Sequence, residues 1–211
     1  MHYLDESIWF PDPSEADDDG LLALGGDLSS ERLILAYQSG IFPWFEEGQP
    51  ILWWSPDPRM VLFLYQFNVS KSLDKTIQKK KFRVSFNTAF SEVIKKCSTV
   101  KRTNQQGTWI TNSMQSAYQK LHKEGLTLSV EVWIDTELVG GMYGVILQKK
   151  KIFCGESMFS EVTDASKVGL YYLVEYLKQN QYSLIDCQMY TNHLASLGAV
   201  EISRSQFLSH L

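Results

Sequence analysis

The sequence predicts an α+β fold: a small N-terminal domain, then a larger domain whose mixed, mainly antiparallel sheet is flanked by helices. Three observations carry this. All six prolines of the 211-residue chain fall at or before Pro58, and the periodic patterns begin where they stop. Three strand patterns then follow one another across short polar turns between residues 127 and 159, which reads as an antiparallel meander. Helical and strand patterns alternate around that meander, as they do in a single sheet with helices on its faces. The domains are placed at residues 1–58 and 59–211.

The elements follow in order. Near the start, Ser29 is an N-cap, Glu31 favours the first turn, Leu33, Ile34 and Tyr37 share a face, and Gly40 ends the helix. A loop-rich aromatic stretch with Trp44, Trp53 and Trp54 comes next. "VLFLYQF" (61–67) reads as a strand, "KSLDKTIQKK" (71–80) as a short helix, "FRVSFN" (82–87) as a strand and "AFSEVIKKCS" (89–98) as a helix. The strongest helix pattern is capped by Thr111, carries Met114, Ala117, Tyr118 and Leu121 on one face, and stops at Gly125. The meander comprises "TLSVEVWI", "LVGGMYGVIL" and "KIFCGESMF". A helix over 165–179 with Asp164 as its cap, a strand in "YSLIDCQMY", and a short helix and strand from "NHLASLGA" complete the chain.

Composition excludes several classes. With 44% hydrophobic and 21% charged residues the chain has the material for a packed core. No apolar run approaches the roughly 20 residues that span a bilayer. The N-terminus is acidic and aromatic, unlike a secretory signal. Three widely spaced cysteines (Cys97, Cys154, Cys187) without CxxC spacing read as reduced thiols of a cytoplasmic protein rather than a metal site. A net charge of −4 argues against coating nucleic acid indiscriminately. Lysines nevertheless concentrate in 71–83, 95–102 and 149–151, so a local basic patch is compatible with it.

Two acids stand inside apolar strand patterns. On a regular strand Ile152, Cys154, Glu156 and Met158 share one face, and Asp186 shares another with Gln188. A carboxylate in such a strand is costly unless it is paired, solvated or used. From the residues alone each is either a structural acid satisfied by backbone donors or part of a site. Nucleophile arrangements fit poorly: His2 and His210 are terminal, His122 lies on a polar helix face, and only His193 is near the acids. Strand parity points Cys187 away from Asp186, so it reads as a buried thiol. No metalloprotease, P-loop or dinucleotide fingerprint is present. The "VGGMYG" glycines read as a strand that another backbone approaches closely. Tryptophans 44, 53, 54 and 109 lie in Gly-, Pro-, Ser- or Thr-rich segments, as interdomain anchors or as stacking platforms for a base.

The blocks "GLLALGGDLS", "AYQSGIFPWF", "ILWWSPDPR", "GTWIT", "GGMYGV", "FCGESMFS", "ASK" and "LIDCQ...NHLASLGA" run in order through most of the chain. On these blocks the sequence resembles the leucyl/phenylalanyl-tRNA–protein transferase family. The resemblance implies a larger domain like that of the N-acetyltransferases (GNAT). It implies transfer of Leu or Phe, and less readily Met, from aminoacyl-tRNA to proteins with N-terminal Lys or Arg, marking them for degradation in the cytoplasm. Membrane, DNA, metal and cofactor are not expected. Where N-acetyltransferases carry a pyrophosphate loop, "FSEVTDASKVG" stands instead. That counts against the competing reading, a CoA-dependent N-acyltransferase. Another alternative is a non-enzymatic recogniser of basic protein N-termini.

The resemblance also implies roles. Asp186 polarises or orients Gln188, whose side-chain oxygen accepts a hydrogen bond from the attacking amine, and Glu156 completes the polar wall. Met142, Met158, Leu170, Leu173 and Ile185 line an aminoacyl side-chain pocket, and Trp44 and Trp109 pack the terminal adenosine of the tRNA. Ile185 and Asp186 have opposite strand parity, so the sheet must splay or curl for both to serve one site. Lys71, Lys75, Lys79, Lys80 and Lys81 are positional candidates for tRNA phosphates. The chain closes at Leu211, so the role of the longer C-terminal tail of other members is expected to be absent or replaced.

Overall fold

Two sheets divide the chain in the computed structural model, which describes residues 1–100 and 109–211. The first comprises β1 (His2–Leu4), β2 (Leu21–Gly25), β3 (Phe42–Pro43) and β4 (Leu52–Trp54), ordered β1-β2-β4-β3, with α1 (Ser30–Gln38) between β2 and β3. Sequence reading found the helix and missed the sheet. Strands of two to five residues are too short for alternation to register. Trp53 and Trp54 therefore sit on a strand rather than in a loop. Trp53 is fully buried, with Nε1 donating to the Gly25 carbonyl over 3.0 Å. Trp54 Nε1 donates to the Trp44 carbonyl over 2.7 Å.

The Ser29 side chain caps α1 by accepting the Arg32 N–H. Gly40 follows it at φ +76°, and a Cβ there would run into the Leu208 side chain, so both conformation and packing require glycine.

The second sheet begins at β5 (Arg59–Phe63). It continues through α2 (Lys71–Gln78), β6 (Arg83–Phe86), α3 (Phe90–Thr99), α4 (Asn112–Lys123), β7 (Thr127–Ile134), β8 (Glu137–Leu147) and β9 (Ile152–Ser160). It closes with α5 (Ala165–Gln179), β10 (Leu184–Gln188), α6 (Asn192–Ser196), β11 (Val200–Ile202) and α7 (Arg204–Leu208). The strand order is β11-β5-β10-β9-β8-β7-β6, antiparallel throughout except for the β9–β10 pair. The expected α+β arrangement and meander are observed. Three details differ. The chain leaves β5 at a 3-10 turn over Leu64–Gln66, where the strand was expected to run to 67. Asp164 does not cap α5: it sits at φ +69° and its carboxylate meets Lys167 and Thr76 instead. The closing helix α7 was not expected; at five residues its periodicity is too short to read.

One sheet face packs with α3, α4 and the N-terminal part around Tyr143, Val145 and Cys154. The other packs against α5 around Met142, Phe153 and Ile185. Two register shifts place the site. Tyr143 pairs with Ser157 and Gly144 with Gly155, leaving Glu156 as the extra residue of a β-bulge. Gly144 permits it, since a Cβ there would strike the Cys154 carbonyl oxygen. The bulge resets the alternation, so Cys154 packs on the α4 side and Met158 on the α5 side. The shared face expected for Cys154, Glu156 and Met158 is thereby overturned. A second shift in the β5–β10 ladder leaves Cys187 as the extra residue. Pairing of β9 with β10 ends at Cys154–Asp186, although β9 runs on to Ser160. The two strands part there, beside Ile185, but Asp186 stays buried and paired in the ladder, so the parting does not bring both residues to one space as expected. Among the described residues no helix is long and apolar enough to cross a membrane.

Candidate active site

A cavity of about 500 Å³ occupies the gap where β9 and β10 part. Met142 of β8, Met158 of β9, Leu170 and Leu173 of α5, and Ile185 of β10 form its apolar side. Trp44 and Trp109 border it from the N-terminal and α4 side, and Met189 and Tyr190 from the chain after β10. Glu156 and Gln188 supply the polar wall. The parting strands expose residues of both sheet faces to a single space, so apolar and polar groups meet there.

Glu156 is the centre of a hydrogen-bonded chain. Its Oε1 accepts from Gln188 Nε2 at 2.8 Å and its Oε2 from the Tyr118 hydroxyl at 2.9 Å. Tyr118 in turn contacts the buried hydroxyl of Tyr37 on α1. Burial pushes the Glu156 carboxyl up to about 7, assisted by the charge of Asp186 and opposed by the hydrogen bonds from Tyr37, Tyr118 and Gln188. Burial, and next the Glu156 charge, push both phenols well above their ordinary value. The bulge turns the carboxyl toward Tyr118 of α4 and, beyond it, Tyr37 of α1.

Asp186 stands behind the wall rather than in the cavity. It is 1% exposed, and its two oxygens accept from Arg59 Nε at 2.8 Å and Nη2 at 2.7 Å. Oδ1 also accepts the backbone N–H of Gln188 at 3.0 Å. The expected link between Asp186 and Gln188 thus runs through the backbone; the Gln188 side chain is bound to Glu156. Gln188 itself sits at φ +64°, a left-handed conformation costly for a residue with a Cβ.

The remaining candidates are placed as follows. Cys187 is half-buried and borders the cavity beside Ile185, with its thiol pushed up by burial. His193 also borders the cavity, pushed down first by burial and then by the charge of Lys167. His122 stacks on Phe90 with ring centroids 4.1 Å apart, so it is not on a free polar face. Lys71, Lys75, Lys79, Lys80 and Lys81 are all exposed on or just after α2, and none borders the cavity. Lys101 and Arg102 of the second basic cluster, and Gly107 and Thr108 of "GTWIT", lie outside the described residues. Among the described residues no group of three or more His, Cys, Asp or Glu could hold a metal ion.

Sequence reading missed Tyr37, Tyr118 and Arg59. Both tyrosines sat on apolar helical stripes and passed as core. The signal was available, because a phenol in such a stripe needs a hydrogen-bond partner. Arg59 opens an apolar strand and carries the same warning for charge.

The family model described as leucyl/phenylalanyl-tRNA protein transferase matches residues 61–211, and the model of that family's N-terminal domain matches residues 26–57. The chain belongs to the leucyl/phenylalanyl-tRNA–protein transferase family. As a member it is an aminoacyltransferase, acting between aminoacyl-tRNA and protein. The transferase of that name from Flavobacterium johnsoniae is 56% identical over 211 residues, covering 100% of this chain and 99% of its own. Its namesake from Christiangramia forsetii is 53% identical over 100% of both chains. The namesake from Pseudoalteromonas atlantica is 55% identical over 100% of this chain and 90% of its own. Solved structures with partly matching chain paths include L-PGS from Bacillus licheniformis, at TM-score 0.43 and 12% identity over 82% of this chain and 57% of that one. A GCN5-related N-acetyltransferase from Kribbella flavida matches at TM-score 0.40 and 7% identity over 81% of this chain and 60% of that one.

Proposed function

We propose that the transferase moves Leu or Phe, and less readily Met, from aminoacyl-tRNA to the α-amino group of proteins with N-terminal Lys or Arg. The product is a new peptide bond and an acceptor marked for degradation, in the cytoplasm. One observation carries the reading: an apolar chamber ends at a polar wall where Glu156 and Gln188 meet at 2.8 Å. In this reading a Leu or Phe side chain would occupy the chamber of Met142, Met158, Leu170, Leu173 and Ile185, with its ester carbonyl toward the wall. Two methionines suit a pocket that accepts both shapes, since Met is flexible and polarizable. Trp44 and Trp109 border the same space and would pack the terminal adenosine. The exposed lysines of α2 would meet tRNA phosphates.

The reaction needs a C–N bond to form as the ester C–O bond breaks. The amine gives up a proton and the ribose oxygen leaves with one. The ester is already activated, so positioning supplies much of the rate and no covalent enzyme intermediate is needed. With Nε2 engaged by Glu156, the oxygen of Gln188 is left as the acceptor that orients the attacking amine. An amide is a poor base. Glu156, at about 7, can hold the transferred proton near neutral pH. Asp186 acts behind the wall by fixing the Gln188 backbone.

Incubation with Leu-tRNA or Phe-tRNA and an Arg-starting peptide, followed by mass measurement of the peptide, tests this. A gain of one Leu or Phe residue is expected. Binding without a gain would favour the recogniser of basic N-termini instead. The CoA-dependent alternative has the helix start against it: the Ser166 N–H, where a pyrophosphate would sit, already donates to Ser160 Oγ at 3.2 Å. A rise in melting temperature with acetyl-CoA would revive it.

A further inference from the structure

Arg59 is held more tightly than a charge partner for Asp186 requires. Its guanidinium lies between the rings of Phe42 on β3 and Phe207 on α7, at 4.8 and 4.6 Å from their centroids. Nη1 donates to the Gly40 carbonyl at 3.2 Å, which also accepts from Ser55 Oγ at 3.2 Å. The helix that supplies Phe207 is anchored in its turn, because Arg204 donates through its backbone N–H to Asp57 Oδ1 and through Nη1 to the Ser55 carbonyl. Three separate elements therefore converge on one guanidinium, which is 1% exposed and has no contact with the cavity.

A buried ion pair is poor evidence of stabilisation, because apolar residues of similar volume usually serve a core as well or better. What a bidentate guanidinium adds is direction: two parallel N–H donors fix the plane of the carboxylate they meet. Here that plane decides where Asp186 Oδ1 lies, and Oδ1 receives the Gln188 N–H. The Gln188 backbone is in the left-handed region just past the Cys187 bulge, a conformation that needs an external hold. From it the side chain projects to Glu156.

We propose that Arg59 is a positioning residue for aminoacyl transfer: through Asp186 it sets the backbone turn that presents Gln188 to the acceptor amine. The proposal rests on the reaction assigned above. The five apolar residues of the chamber and the two tryptophans make none of these contacts, and of the groups around Arg59 only Phe42 borders the cavity, so Arg59 should govern the rate of the chemical step more than donor affinity.

The test compares wild type, Arg59→Lys and the double variant Arg59→Met/Asp186→Leu with Leu-tRNA and an Arg-starting peptide. Lysine keeps the charge but cannot reproduce the fork. Arg59→Lys is expected to lower kcat on the order of 10- to 100-fold, with KM for Leu-tRNA kept within about threefold. The double variant removes charge and partner together, so it is expected to keep close to the wild-type melting temperature without regaining the rate. A stable double variant with wild-type kcat would reduce the pair to a structural one and overturn the proposal. So would an Arg59→Lys variant that loses donor affinity in step with its rate. If the double variant does not fold, Arg59→Lys decides alone through the kcat-against-KM split. Absence of transfer by the wild type would instead overturn the assigned reaction, and this proposal with it.

Discussion

Gln188 and Glu156 join across the point where two parallel strands part, with Gln188 Nε2 donating to Glu156 Oε1 at 2.8 Å. Neither residue is presented by regular strand geometry. Glu156 is the extra residue of a bulge and Gln188 follows one. The bond closes a gap that main-chain hydrogen bonds leave open, and it ties a carboxyl of raised pKa to the proposed orienter of the acceptor amine.

The pH dependence should follow Glu156. Its folded value of about 7 lies above the ordinary 4.5, so the folded state binds the proton more tightly. The stability this contributes is fully present below pH 4.5 and is lost as pH rises through about 7. The half-buried position limits the effect to on the order of 1–3 kcal/mol. Transfer should rise with pH to a plateau above about 7, because the ionised carboxylate takes the amine proton. Glu156→Gln is expected to abolish that inflection and cut the rate roughly 100-fold or more. It should also gain melting temperature over wild type more at pH 8 than at pH 5. An unchanged inflection in the variant would assign the titration to another group.

Tyr118→Phe should move the same inflection to higher pH. The Tyr118 hydroxyl is one of the donors that hold the Glu156 value down, so its removal raises that value further. The substitution also removes one of the two partners of the buried Tyr37 hydroxyl, leaving it Glu156, at a cost of about 1 kcal/mol in chemical unfolding. Tyr37→Phe/Tyr118→Phe removes a second donor that holds the Glu156 value down, so it should displace the inflection further. A profile superimposable on wild type would detach the tyrosines from the site.

Trp44→Ala should weaken donor binding and spare the chemistry. Loss of one stacking platform costs about 1–3 kcal/mol, so KM for the tRNA is expected to rise roughly 5- to 150-fold at near-constant kcat. The Trp54 hydrogen bond goes to the Trp44 backbone carbonyl and survives the substitution, which favours an intact fold. A fall in kcat without a change in KM would remove Trp44 from the donor site.

Leu173→Phe should tilt donor choice toward Leu. Leu173 is 1% exposed and borders the chamber, so an aromatic ring there fills space that a Phe donor would use. Overpacking is expected to cost about 1–3 kcal/mol of stability. The ratio of kcat/KM for Phe-tRNA to that for Leu-tRNA should fall by roughly 10-fold or more. An unchanged ratio would mean that the donor side chain lies elsewhere.

Sequence patterns revealed the long elements because periodicity had room to repeat: α4, the meander strands and α5 run close to their expected residues. They could not reveal the N-terminal sheet, whose strands are two to five residues long. The site was half legible for a related reason. Apolar strands flagged Glu156 and Asp186 as costly acids, and that cost is physical wherever the residues land. Which way Glu156 points depends on a bulge that Gly144 admits, and alternation along one strand cannot show an extra residue opposite its neighbour. Arg59 carried the same warning of a charge in an apolar strand, but what it does shows only through its partner on β10, far away in the chain.

The lysines of α2 and of the turn after it offer a test that leaves the chemistry alone. Lys71, Lys75, Lys79, Lys80 and Lys81 are exposed and lie outside the cavity, so their contribution to tRNA binding would be electrostatic. Each phosphate contact steepens the fall of affinity with salt, by roughly 0.7 to 0.9 in a plot of log K against log salt concentration. Lys71→Ala/Lys75→Ala is therefore expected to flatten the salt dependence of Leu-tRNA binding by about 1 to 2 units of slope. Binding at low salt should weaken, and kcat at saturating tRNA should hold. The same plot discriminates the alternative: if these lysines only solubilise a helix face, the slopes of variant and wild type coincide at every salt concentration. Coincident slopes would remove α2 from the tRNA path and leave the phosphates to another surface.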